Sequence, residues 1–365
     1  MTSPDRPADD RAADDRTANE RPAEDRHAND RHALVPVPSF GPSLSNDDYT
    51  LRPVTAPGDR IVEFDFPGVE VGTAEYAEGP TGATVVHVPA GARMSIDARG
   101  GAIGLTYGGD NYAHAICLAG GSLYGLGAAP GVATELLRRE KNNAGWEHLQ
   151  CVAGAIIYDF AARDNAVFPD AALGRAALLA ARPGRFPVGR RGAGAAASVG
   201  KVEHARTEFA GQGAAFRQIG DVKILAATVV NAVGVIVDRD GTVVRGNYDA
   251  ATGTRRLPQL DYADAFAGGA PTTAPGNTTI SVLITNVRLG DRELDYFGRQ
   301  VHGSMHRGIQ PFHTNLDGDT LFTLTTDEVD LPRNPTRTGE DSLTSVALGS
   351  VAAEVMWDAI LSSVR

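Results

Sequence analysis

Runs of apolar and β-branched residues bounded by Gly, Asn or Asp punctuate this chain. They occupy residues 61–66 (IVEFDF), 83–88 (ATVVHV), 153–160 (AGAIIYDF), 222–230 (VKILAATVV), 233–238 (VGVIVD), 241–245, 278–287 (TTISVLITNV) and 320–326 (TLFTLTT). Such runs predict buried strands. Asp240-Gly241, between two of them, predicts a hairpin turn. Helical spacing predicts helices over 122–140, 169–181, 291–305 and 341–361. In the third, Leu294, Phe297, Val301 and Met305 make one apolar stripe and Asp291 is placed to cap it. In the fourth, small and apolar residues wrap most of the circumference, as in a helix packed between layers. Strands and helices do not alternate strictly, so an α/β (α+β) fold with helices on the outer faces of sheets fits better than a doubly wound parallel sheet.

The N-terminal pattern is different. Residues 5–34 repeat a charged pentapeptide, DRPAD, DRAAD, DRTAN, ERPAE, DRHAN, DRHAL, with a period that matches neither helix nor strand. With almost nothing apolar to bury, ordering it would cost more entropy than burial returns. Residues 1–36 are therefore expected to be a disordered, charged, solvating tail, and residues 37–365 to be one domain.

The chain is 365 residues long and 42% hydrophobic, enough for a substantial core. A net charge of −11 argues against nucleic acid and against an anionic membrane surface. The chain has no 18-residue apolar run and a polar, charged start, so neither a membrane span nor a secretory signal is expected. The expected location is cytoplasmic. Cys117 and Cys151 allow one disulfide, but their apolar or mixed settings fit two reduced thiols better.

Several motifs are weak on inspection. GLGAAPG (125–131) fails the spacing of a dinucleotide fingerprint and reads as a glycine-rich turn that lets a helix approach a sheet. GGSLYG holds a serine among glycines without the pattern of a nucleophile elbow. His302, His306 and His313 lack the Glu of a zinc helix and read as packing or supporting histidines, so no metal or cofactor is expected. NLDGDT (315–320) is not a calcium loop. It does place Asp317 and Asp319 on one side of an extended segment, costly for two carboxylates unless something uses them. Asn277-Thr278-Thr279 is formally a glycosylation sequon, with little force where no secretory signal is expected.

From about Phe64 onward the chain resembles the nylon-oligomer hydrolases, within the wider group of self-processing β-aminopeptidases and D-/L-aminopeptidases. The resemblance rests on FDFPGVEVG, EGPTGATVVHVPAGAR, HAICLAGGSLYGL, IIYDF, VGVIVDRDGTVVRGNYDA, GNTTISVLITNVR and QVHGSMHRGIQPFHTNLDGDTLF. It implies an N-terminal-nucleophile-hydrolase-like αββα layered sandwich. It also implies self-cleavage at Asn277–Thr278, giving an α chain (37–277) and a β chain (278–365) whose first residue, Thr278, is the nucleophile. Further site residues implied by the match are Tyr158, Lys201, Asn231, Asp317 and Asp319. The paired aspartates, where the peptidases more often have Ser/Glu, favour the oligomer hydrolases. The implied substrates are linear 6-aminohexanoate oligomers, and the implied assembly is a homotetramer of αβ units.

The chemistry suits those residue types. A threonine hydroxyl needs a base, and at a chain terminus its own α-amine, with a reference pKa of roughly 7.7–8.0, supplies one. Asp319 is expected to orient Thr278 and Asp317 to steady Asp319. Lys201 would balance their charge and help move protons. The Asn231 amide, with Tyr158 hydroxyl, would donate to the oxyanion. Two alternatives stay open: an aminopeptidase for β-amino or D-/L-amino acid peptides on the same scaffold, and a non-processed binding or structural relative.

Overall fold

The computed structural model describes residues 44–47, 50–55, 58–107, 111–268, 276–331 and 341–365. The pentapeptide repeat lies outside these residues. A single hydrogen-bonded sheet of ten strands folds over on itself into two layers. The hinge is one long strand, Thr81–Ala98. Its first half pairs with Glu70–Tyr76 and Tyr112–Ala119, and its second half, from Arg93 to Ala98, pairs with Thr320–Val329. Its register slips between His87 and Ala92, where it passes from one layer to the other.

In one layer Gln212–Ile219, Val222–Asn231, Thr278–Val287 and Thr320–Val329 lie side by side. The last two are parallel and the others antiparallel. The other layer carries Val152–Ile156, parallel to Tyr112–Ala119. Between the layers Val86, Ile116, Leu118, Ile157, Val229, Ile280, Val282, Phe322 and Leu324 form the main core. Burying each such side chain contributes about 1.5–3 kcal/mol.

Helices cover both outer faces. Ala128–Arg139 and Ala171–Leu179 pack on the Val85, Cys117 and Ile156 side. Asp291–Ser304 and Asp341–Ser362 pack on the Ile224, Leu283 and Leu321 side. The order is helix, sheet, sheet, helix. Among the described residues no helix is long and apolar enough to cross a membrane.

The expected apolar stripe of the third helix, Leu294, Phe297, Val301 and Met305, is buried. Other expectations are corrected. Asp291 is not the cap: the helix begins after Gly290, whose N–H donates to Glu293 Oε2 at 2.8 Å, while Asp291 pairs with Arg93. The C-terminal helix is an outer layer rather than an inner one. Its solvent side carries Glu354 and Asp358, paired with Arg239 and Arg307. The GLGAAPG stretch lets its helix approach the sheet, as expected, and a second helix as well: a Cβ on Gly125 would lie 1.8 Å from the Gly120 carbonyl oxygen, just past the strand Tyr112–Ala119, and one on Gly131 would lie 1.9 Å from the Ala171 carbonyl oxygen. Cys117 is buried and Cys151 half-buried, both as free thiols, and burial pushes the Cys117 thiol up to about 12.

Candidate active site

The parallel pair at the centre of one layer sets the site. Thr278 opens the strand Thr278–Val287, opposite Asn231 at the end of its antiparallel neighbour. On the other side Ile280 pairs with Thr320, which puts Asp317 and Asp319 beside the start of the same strand. Asn277 bridges to Asp317. Strand register alone thus brings Asn231, Asn277, Thr278, Asp317 and Asp319 to one end of the sheet. All five are buried.

The Asn277–Thr278 junction gathers two donors on one carbonyl. Thr278 Oγ1 donates to the Asn277 carbonyl oxygen at 2.5 Å, and the Gly318 backbone N–H donates to that same oxygen at 3.0 Å. Two donors on one carbonyl oxygen polarise the group and make its carbon more electrophilic. Gly276 leads into the junction with φ of +80°, a conformation glycine adopts without strain. The Tyr158 ring lies so close that a Cβ on Gly276 would meet its Cδ1 at 2.3 Å.

The two carboxylates are held differently. Asp319 Oδ1 accepts the Thr279 N–H at 2.8 Å, one residue past Thr278. Its Oδ2 accepts from the His313 backbone N–H at 2.9 Å and lies 3.0 Å from His313 Nδ1. Asp317 accepts from Val233 N–H at 3.3 Å and, in a short bond, from Thr314 Oγ1. Burial pushes both carboxyls up to about 6, with the charge of Asp319 adding to the rise at Asp317. The Thr279 and His313 donors partly offset the rise at Asp319.

Lys201 is fully enclosed, and burial lowers its ammonium to about 7 against the pull of Asp317 and Asp159. Its Nζ donates to Asn231 Oδ1 at 2.8 Å and to the Gly276 carbonyl at 3.3 Å. This fixes the Asn231 amide orientation, so that Nδ2 donates to the Tyr158 carbonyl at 3.0 Å and reaches Gly276 O at 3.4 Å. In the continuous chain, then, Asn231 addresses the carbonyl before Asn277, and Gly318 is the donor on the Asn277 carbonyl itself. Tyr158 contributes its ring to Gly276 and its carbonyl to Asn231.

Sequence reasoning missed Gly318, His313 and Thr314 in these roles. Backbone donors carry no residue-type signal, but Gly318 between two aspartates could have been read as a close approach. The three histidines do cluster: His302 and His313 rings lie 4.3 Å apart and His306 and His313 rings 5.0 Å. His302 Nδ1 lies 3.0 Å from Asp97 Oδ2. Among the described residues no group of three or more His, Cys, Asp or Glu could hold a metal ion.

The layered architecture is shared with solved structures. A Burkholderia sp. β-aminopeptidase superposes with a TM-score of 0.58 at 16% identity, covering 88% of this chain and 91% of that one. The L-aminopeptidase D-Ala-esterase/amidase of Ochrobactrum anthropi, described as a variant of the Ntn-hydrolase fold, superposes with a TM-score of 0.55 at 15% identity, covering 81% and 84%. The fold is therefore that of the N-terminal-nucleophile hydrolases. The model of peptidase family S58 matches residues 63–365, and the chain belongs to that family. It is accordingly a hydrolase of amide bonds. A 6-aminohexanoate-oligomer endohydrolase of Paenarthrobacter ureafaciens is 60% identical over 328 residues, spanning 89% of this chain and 92% of that protein.

Proposed function

We propose that this protein cleaves itself between Asn277 and Thr278 and then hydrolyses internal amide bonds of linear 6-aminohexanoate oligomers through an ester on Thr278. The observation that supports the chemistry is the Thr278 hydroxyl lying 2.5 Å from a carbonyl oxygen that also accepts the Gly318 N–H. The substrate class is supported by the 60% identity to the Paenarthrobacter endohydrolase.

In self-cleavage Thr278 Oγ attacks the Asn277 carbonyl carbon, and its proton passes to the buried group of Asp319, Asp317 and Lys201. The negative oxygen that forms is met by Gly318 N–H. The C–N bond then breaks, the nitrogen takes up the proton, and an ester joins Asn277 to Thr278 Oγ. Water hydrolyses the ester, leaving an Asn277 carboxylate, a free hydroxyl and a free α-amine. Asp319, already bonded to Thr279 N–H, is placed to hold that new terminus.

In turnover the departed Asn277 carbonyl leaves a place for a substrate carbonyl. The neutral α-amine takes the Oγ proton as the bond forms and returns it to the leaving amine. Asn231 Nδ2, released from Gly276 O when the new chain end at Asn277 withdraws, becomes a second oxyanion donor, with Tyr158 hydroxyl beside it. Losing one such donor costs about 10²–10³ in rate. Water then attacks the acyl ester and frees the acid. The same reading carries a homotetramer of αβ units in the cytoplasm and a two-chain catalytic domain, 37–277 with 278–365.

The test is product analysis after incubating purified protein with linear 6-aminohexanoate oligomers and, in parallel, with β-alanyl and D-alanyl peptide amides. Internal cleavage of the oligomers, lost in Thr278→Ala, is the expected result. Turnover of the peptide amides alone would transfer the reading to an aminopeptidase. A chain that stays whole and inert on both would make it a non-processed relative.

A further inference from the structure

The GGSLYG stretch has no part in the chemistry above, yet its backbone is unusual. Gly121 and Ser122 are both left-handed, with φ of +77° and +52°. Glycine adopts that conformation freely, but a serine there is strained, and such strain persists only where its surroundings hold it. Here the surroundings are the segment that carries Tyr158: Gly121 N–H donates to Asp159 Oδ1 at 2.9 Å and Ser122 N–H to the Ile157 carbonyl at 2.9 Å. Asp159 is itself fixed by Arg163 at 2.8 Å and Thr81 Oγ1 at 2.5 Å.

The turn ends by presenting two large apolar side chains to solvent. Leu123 is 63% exposed and Tyr124 67% exposed. Single exposed apolar residues are ordinary, but contiguous ones on a strained, rigidly tethered turn mark a contact surface. They are also continuous with the site. Tyr124 lies 6.5 Å from the Phe160 ring, and Phe160 lies 5.6 Å from Tyr158, both edge-on. Tyr158 in turn rests on Gly276, one residue before the scissile junction. Phe160 and Tyr158 are half-buried, so the aromatic lane runs from the surface inward to the Asn277–Thr278 end of the sheet.

Neighbouring segments repeat the theme. Residues 101–104 lie between Leu123, whose Cδ2 approaches Gly104, and the turn that holds Asn315 to Gly318. They expose Ile103, and that turn exposes Leu316, at 44% and 42%. Exposed Leu, Ile and Tyr side chains beside half-buried Phe160 suit a chain of methylenes and offer little to a short polar peptide.

We propose that Leu123, Tyr124 and Phe160 form an apolar subsite that takes the polymethylene segment of a linear amide adjoining the bond presented to Thr278. The proposal rests on the functional reading above and adds to it a source of chain-length and spacer preference. Phe160 is braced for this by the Arg163 guanidinium, 4.1 Å over its ring.

The experiment compares the wild type with Leu123→Ser, Tyr124→Ser and Tyr124→Phe. Splitting at Asn277–Thr278 is first measured for each by denaturing mass spectrometry, and oligomeric state by sedimentation. KM and kcat are then taken for a long 6-aminohexanoate oligomer and for a β-alanyl amide. Both Ser variants should split normally and keep the wild-type assembly. Their KM for the long oligomer should rise about tenfold, the lower end of what one apolar contact contributes to discrimination. Their KM for the β-alanyl amide should stay unchanged, and Tyr124→Phe should resemble the wild type. An equal KM change for both substrates, or none for either, overturns the subsite. So does a change of oligomeric state without a selective KM change, which would make the patch a subunit contact. If the wild type neither splits nor turns over the oligomer, the functional reading itself fails, a result distinct from failure of the subsite.

Discussion

Gly318→Ala isolates the backbone donor on the carbonyl of Asn277, whose bond to Thr278 we propose is cut. A Cβ added at Gly318 would stand 2.2 Å from the Ala102 carbonyl oxygen and 3.0 Å from Thr278 Oγ1. The first clash is with backbone that cannot turn aside, because Ala102 N–H is itself bonded to the Asp317 carbonyl at 3.0 Å. The Asp317–Asp319 segment must therefore shift. Gly318 N–H then leaves the Asn277 oxygen, and the hydroxyl loses its alignment with the carbonyl. Removing one oxyanion donor lowers a rate by about 10²–10³, so freshly made variant should persist as an uncut chain near 38.2 kDa long after the wild type has split. The assay is a denaturing mass-spectrometric time course, with near-UV circular dichroism to establish that the variant is folded. A folded Gly318→Ala protein that splits at the wild-type rate refutes the assignment of this N–H as the donor.

Other outcomes follow from the same geometry. Asp317 and Asp319 are raised to about 6 in the folded chain, against about 3.9 unfolded. The folded state then binds more protons between those values, so the pair's contribution to stability is present below about pH 4 and lost as pH rises through about 6. Melting temperatures of uncut Thr278→Ala protein should fall across that window, and Asp317→Asn should flatten the fall; an unchanged slope contradicts it. His313, left-handed at φ of +56°, can be replaced by Gly or Asn without backbone strain. Gly removes the contact of Nδ1 with Asp319, which should slow splitting about tenfold to a hundredfold and move its acid limb upward, and Asn should restore it. Equal rates for the two variants would deny His313 that part. Arg163→Met strands the buried Asp159 carboxylate and should cost about 3–5 kcal/mol in chemical denaturation; a loss below about 1 kcal/mol would class the pair with exposed ones.

The sequence was legible where side chains carry the pattern. TTISVLITNV reads as a strand and is one from Thr278 to Val287, buried on both faces and dominated by β-branched Thr, Ile and Val. Strands made of small residues were missed. Glu70–Tyr76 and Gln212–Ile219 carry Gly72 and Gly213 where the helices Ala171–Leu179 and Asp341–Ser362 lie directly on them, a Cβ at either falling 2.0 Å from a helix carbonyl oxygen. β-branched residues there would hold the helices off. Tyr112–Ala119 was missed for the same small-residue content and lies between two strands.

At the site, residue types were legible and orientations were not. Lys201, Asn231, Asp317 and Asp319 all lie around the junction, but the expectation that Asn231 would address the reacting carbonyl needed the direction of an amide that Lys201 sets. Gly318 donates through its backbone, which a string of side-chain letters does not display. The supporting bond of His313 to Asp319 depends on a left-handed turn that brings two donors onto one oxygen.

The most direct measurement is N-terminal sequencing of the active, purified protein together with its intact mass. The account predicts a smaller chain beginning Thr-Thr-Ile-Ser and a larger one ending at Asn277, with a single uncut chain in Thr278→Ala. Active protein with no chain beginning at Thr278 would contradict it.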